Sequence, residues 1–68
     1  MYFLSVEIKG KIDAISLWGL IEKYHINLTN LDDVTYVYGD VELHKVGEII
    51  SRCALFGELS IIVRHKGG

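Results

Sequence analysis

The sequence predicts an α+β domain in which strand, helix and strand follow one another twice. Three observations predict it. Residues 34–63 read as one complete strand–helix–strand unit. Residues 2–31 repeat that order, and each half has a glycine after its first strand (Gly10, Gly39) and another within its helical stretch (Gly19, Gly47). The apolar spacing also switches from two, in the strand-like runs, to three and four between them, which separates half-buried strands from amphipathic helices.

In residues 2–8, Tyr2, Leu4, Val6 and Ile8 share one face and Phe3, Ser5 and Glu7 the other. This alternation marks a half-buried strand. Lys9-Gly10-Lys11 breaks it. Asp13 stands at the N-cap position of a helix running to about Tyr24, since a short carboxylate there can accept a free first-turn N–H. Its expected buried stripe is Ala14, Leu17, Trp18, Ile21 and Tyr24, widened by Ile15 and Leu20, with Ser16, Glu22 and Lys23 toward water. Residues 26–31 form a weaker strand whose apolar residues are Ile26, Leu28 and Leu31. Asp32-Asp33 makes a tight turn, so the strand that follows runs antiparallel to it.

The run at 34–38 is β-branched and aromatic, as strands prefer. Gly39-Asp40 is the expected start of the second helix, with Asp40 as N-cap and Glu42 where the helix dipole favours negative charge. Leu43, Val46, Ile50 and Cys53, with Ile49 and Ala54 beside them, form its apolar stripe. Gly57 is expected to be a left-handed C-cap. In the last strand, Leu59, Ile61 and Val63 share one face and Ser60, Ile62 and Arg64 the other. A unit of this length suits a right-handed crossover between parallel strands. A mid-helix glycine costs up to about 1 kcal/mol relative to alanine. One in each helix predicts a close approach of helix to helix or sheet, and Gly47→Leu is then expected to destabilise strongly.

Two interleaved units give the ferredoxin-like split βαβ arrangement (βαββαβ): two helices on one face of a four-stranded antiparallel sheet, expected order 4-1-3-2. The uncovered face is expected to carry Phe3, Ser5, Glu7, Ile62 and Arg64, plus one set from the third strand. That set is either Val37 with Thr35 or Tyr36 with Tyr38, and the alternation allows both. Phe3, Val37 and Ile62 are the candidate interface residues.

Sixty-eight residues are read as one domain, 1–68, with a limited core, which favours assembly. Half the residues are apolar, which excludes disorder. A net charge of −2 gives no general attraction to phosphate. The single cysteine excludes an internal disulfide and a cysteine metal cluster, and Cys53 reads as a buried structural thiol. The N-terminus has no basic region ahead of a long hydrophobic stretch, and no apolar run approaches the roughly 20 residues that span a bilayer. The expectation is a soluble cytoplasmic protein with no membrane association.

Chemistry is sparsely signalled. His25, His44 and His65 are scattered without metal-ligand spacing, and His44 with Glu48 reads as a solvated helix pair. No metal or cofactor is expected. No serine, nor Cys53, is marked as an activated nucleophile, and no phosphate-cradling glycine motif occurs, so no catalytic residue is assigned and no enzyme activity is expected. RNA-recognition sheets stack bases on aromatics of their central strands, here Tyr2 or Phe3 and Tyr36 or Tyr38. The basic, glycine-containing pattern of those domains is missing and the charge is acidic, so an RNA-binding sheet face is the alternative reading, with nucleic acid not the expected partner. The terminal Gly67-Gly68 is similar to the ends of ubiquitin-like modifiers and sulfur carriers, a further alternative. Those proteins enter their helix after a β-hairpin, whereas this chain does so after one strand.

From Gly10 onward the chain resembles ACT-type regulatory domains, which show a strand, a glycine-containing turn, a helix and a second strand opened by an INI-like run. Gly10, residues 14–24 and Ile26-Asn27-Leu28 occupy those places, and residues 37–43 and 57–63 resemble the second half. The chain differs at Lys9-Gly10, where that family often has an acidic residue and proline before the glycine, and in its short middle hairpin. The resemblance implies a non-enzymatic regulatory or small-ligand-binding domain that forms a homo-oligomer, a dimer in the simplest case. It places the ligand at Lys9, Gly10, Lys11 and Ile12, with Asn27 opening strand two. The two lysines make that turn locally basic, which suits a small anionic ligand.

Overall fold

The structure, a computed structural model, describes residues 1–67. Strands β1 (Tyr2–Lys9), β2 (Asn27–Leu31), β3 (Val34–Val41) and β4 (Leu59–His65) form one antiparallel sheet in the order β2-β3-β1-β4. A short 3-10 segment, Ala14–Leu17, leads into helix α1 (Trp18–Tyr24), and helix α2 (Leu43–Ala54) joins β3 to β4. The order is the interleaved one expected. Both β3 and β4 run antiparallel to β1, which lies between them, so the two are parallel without touching.

Strand register decides the faces. Leu4 lies opposite Gly39 and Val63, Val6 opposite Val37 and Ile61, and Ile8 opposite Thr35 and Leu59. Residues directly opposite point to one face, and this face meets Leu17, Leu20 and Tyr24 of the first helical segment and Val46, Ile49 and Cys53 of α2 in a single apolar core. Both helices therefore cover the same side. Val37 is only 1% exposed and Thr35 is fully buried. The interface expectation for Val37 is thus corrected, and Tyr36 and Tyr38 are the pair on the open face.

Three helical expectations are also corrected. The first helix begins as a 3-10 turn, with the Ser16 N–H donating to the Asp13 carbonyl (3.0 Å) and no cap from the Asp13 side chain. Three residues per turn instead of 3.6 shift the phase. The buried line runs through Leu17, Leu20 and Tyr24, while Ala14 and Ile15 face water and Trp18 is 51% exposed. In the second half, β3 continues through Gly39 and Asp40 to Val41, held by pairing with Leu4, Phe3 and Tyr2. Asp40 therefore caps no helix; it pairs with Lys66 at 2.9 Å, and Glu42 occupies the N-cap position without a side-chain bond. Gly57 has φ 158°, far from a left-handed cap, and what it needs is the missing Cβ, which would lie 2.9 Å from the Lys9 carbonyl. Gly39 similarly lets Ile26 approach, to 3.0 Å of where a Cβ would stand.

The mid-helix glycines do the opposite of what was expected. A Cβ at Gly19 or Gly47 would meet nothing within 4 Å. No close approach needs them, and the strong destabilisation expected of Gly47→Leu loses its ground, since a Cβ there has open space. Gly47→Ala should stabilise the domain by about 1 kcal/mol, the difference in helix propensity. Thermal denaturation should show the midpoint rising by several degrees, and an unchanged or lower midpoint would contradict this packing.

Candidate interaction surfaces

The Lys9–Ile12 turn is built around Thr35. Its hydroxyl donates to the Gly10 carbonyl (2.8 Å) and accepts from the Ile12 N–H (2.9 Å) and from Asn30 Nδ2 (2.8 Å). Asn30 Nδ2 also donates to the Ile12 carbonyl (3.2 Å), and the Gly10 N–H to the Asp33 carbonyl (2.6 Å). One hydroxyl thus uses its donor and both acceptor sites. The N–H groups of Lys9, Gly10 and Ile12 are already engaged, and the glycine provides the φ of 121° that this bend requires.

The predicted ligand residues are only partly brought together. Lys9 and Lys11 are exposed at the turn, Gly10 is half-buried, and the Ile12 side chain lies in the core. Asn27 pairs with Tyr38, while Lys9 pairs with Val34, four residues away along β3. At about 3.3 Å per residue this is about 13 Å, so Asn27 stands near the other end of the sheet. Asn30 is the β2 residue at the turn. A depression by Lys9 is lined by Glu7, Lys9, Val34, Glu58, Leu59 and Ser60. Its two carboxylates oppose an anion.

The open sheet face is the larger surface. Phe3 on β1 lies between Asp40 on β3 and Arg64 on β4, Ser5 between Tyr38 and Ile62, and Glu7 between Tyr36 and Ser60. Asn27 and Thr29 of β2 continue the rows beyond the tyrosines, and the hydroxyls of Thr29 and Tyr38 lie 3.2 Å apart in a hydrogen bond. Aromatics of both central strands, Phe3 and the two tyrosines, thus stand on the side without helices.

Among the described residues no cluster of His, Cys, Asp or Glu could hold a metal ion, and no helix is long and apolar enough to cross a membrane. Cys53 is fully buried, and burial pushes its thiol up to about 11. On unfolding the thiol returns to its ordinary range near 9 and releases its proton first, so alkali favours the unfolded chain. The stability difference between the wild type and Cys53→Ala should be constant around neutral pH and move against the wild type as pH rises from about 9 toward 11. Urea midpoints of the two proteins across that range measure it, and parallel curves would contradict the burial. Gly68 of the expected Gly67-Gly68 ending lies outside the described residues.

Comparison of the chain with protein-family models, with curated proteins and with solved structures gave no match.

Proposed function

We propose that this chain is a non-enzymatic, homo-oligomeric binding or regulatory domain of the ferredoxin-like, ACT-like kind, working in the cytoplasm. The observation that carries this reading is the one-sided covering of the sheet. Both helices lie on one face, and the other leaves Phe3, Tyr36, Tyr38 and Ile62 without a covering layer. In so short a chain, covering that surface with a partner contributes about 25 cal/mol for each Å² of apolar area removed from water. Ligand sensing at the turn would fall mainly to the side chains of Lys9 and Lys11, because the N–H groups of Lys9, Gly10 and Ile12 are engaged internally.

Light scattering across a concentration series tests the reading. A mass of twice the chain or more is expected, and a monomer at every concentration would overturn it. A second reading, single-stranded RNA on the sheet face, is favoured by Phe3 and the tyrosines on the two central strands, where bases could stack. Glu7 beside Tyr36 opposes it by repelling phosphate, whereas Asp40 beside Phe3 is offset by Lys66 and Arg64. An anisotropy titration with labelled single-stranded RNA separates the two. Salt-sensitive binding would support RNA, and no binding is expected from the assembly reading.

A further inference from the structure

The two edges of the sheet are built differently. The β2 edge is five residues long and largely polar, Asn-Leu-Thr-Asn-Leu. The β4 edge is seven residues long, and its central Ile61, Ile62 and Val63 are 42%, 52% and 42% exposed. It has no proline, and no charge before Arg64, so the usual devices against edge-to-edge pairing are missing from its middle. The Lys9 N–H donates to the Glu58 carbonyl and the Lys66 N–H to the Met1 carbonyl, both at 3.0 Å. Even-numbered residues of this stretch therefore bond to β1, and Leu59, Ile61, Val63 and His65 turn their backbone groups outward.

We propose that β4 pairs antiparallel with β4 of a second copy of this chain, about a two-fold axis at Ile62, joining two four-stranded sheets into one of eight. This rests on the homo-oligomeric reading and gives it a contact at the sheet edge, beside the open face and not over it. Three features select the register. All seven residues pair, and the outward-turned residues fall opposite one another, Ile61 against Val63 and Leu59 against His65, so that both strands present donors and acceptors at the same rungs. At the centre of the strand apolar residues meet apolar ones, Ile61 against Val63 and Ile62 against its own copy. The strand is acidic before its start at Glu58 and basic at its end in Arg64 and Lys66. Antiparallel pairing sets Glu58 opposite Lys66 and diagonal to Arg64 of the second copy, whereas a parallel pair would set like charges together. Lys66 already holds Asp40 at 2.9 Å, so its ammonium would lie between two carboxylates.

The helix layer fits the same partner. Lys45 of α2 lies over the Tyr24 ring of α1 (5.6 Å) and Glu48 pairs with Lys23 (3.5 Å), which fixes the side of α2 that faces α1. At 100° per residue Leu43, Ile50 and Ala54 fall on the opposite flank, toward β4. Leu43 is 60% exposed and Ile50 half-buried. A two-fold axis perpendicular to the sheet keeps both helix layers on one side. It brings the two α2 flanks toward each other across the paired β4 strands, above Ile61 and Val63.

Ile62→Cys tests the register. In a non-hydrogen-bonded pair the Cα atoms lie about 4.5 Å apart, within disulfide reach. Under mild oxidation Ile62→Cys should form a covalent dimer much faster than Ile61→Cys, whose self-pair is out of register, while buried Cys53 stays out of the reaction. Ile61→Pro, which removes an outward N–H, and Val63→Lys should both yield monomers with an unchanged circular dichroism spectrum. Equal cross-linking of the two cysteine variants, or none, in a protein that light scattering shows to be oligomeric would overturn this interface and leave the assembly reading standing on the open face. A monomeric wild type would overturn both.

Discussion

Thr35→Val is expected to lower stability by about 2–4 kcal/mol, because each buried polar group left without a partner costs about 1–3 kcal/mol. The isosteric change keeps the shape and removes the hydroxyl that three groups share. The Ile12 N–H loses its partner in a buried site and the Gly10 carbonyl loses its partner in a part-buried one, while Asn30 keeps its bond to the Ile12 carbonyl. Natural domains hold about 0.05–0.15 kcal/mol per residue, so for so short a chain this is a large share of the total. The urea midpoint should fall well below that of the wild type. Thr35→Ser keeps the hydroxyl and loses only a methyl group, and should fall less. If valine proved as stable as serine, the turn would not be held in the way described.

Ile49→Ala should cost about 2–5 kcal/mol, the range for removing a large aliphatic side chain from a core that relaxes only partly. Ile49 is fully buried and sits on the line with Val46 and Cys53 that faces the sheet. Ile50 is only half-buried, and Leu43 is exposed. The expected order of loss is therefore Ile49→Ala, then Ile50→Ala, then Leu43→Ala, the last close to neutral in the monomer. Denaturation midpoints of the three variants check it. A cost at Leu43 equal to that at Ile49 would mean that α2 is rotated from the position described.

The strands were legible because alternation is a local signal: Leu4, Val6 and Ile8 announce their face without reference to anything else. What could not be read locally depends on the neighbouring strand. Gly39 and Asp40 look like a stop and a cap, yet pairing with Leu4 and Phe3 keeps them in β3, and such tertiary pairing overrides propensity. Either parity of β3 suits a strand, since one offers Thr and Val and the other two tyrosines. Thr35 falls opposite Ile8, and that register decides the matter. The phase of the first helix was lost to the 3-10 turn at Ala14–Leu17, which no residue there signals. The mid-helix glycines were misread because a glycine needed for packing and one merely tolerated look alike in sequence. Within the candidate site, the lysines of the turn were visible, but the Thr35 network was not. Its members, Gly10, Ile12, Asn30 and Thr35, meet only once the sheet and its first connection are formed.

Amide hydrogen exchange along β4 tests most directly the central claim that a second copy completes this sheet. In the isolated chain the N–H groups of Ser60, Ile62 and Arg64 face β1, and those of Ile61 and Val63 face outward. Pairing with a second copy predicts that Ile61 and Val63 become protected as concentration rises, with the β1-facing set protected throughout. Free exchange of Ile61 and Val63 at every concentration, beside a protected Ile62, would contradict it.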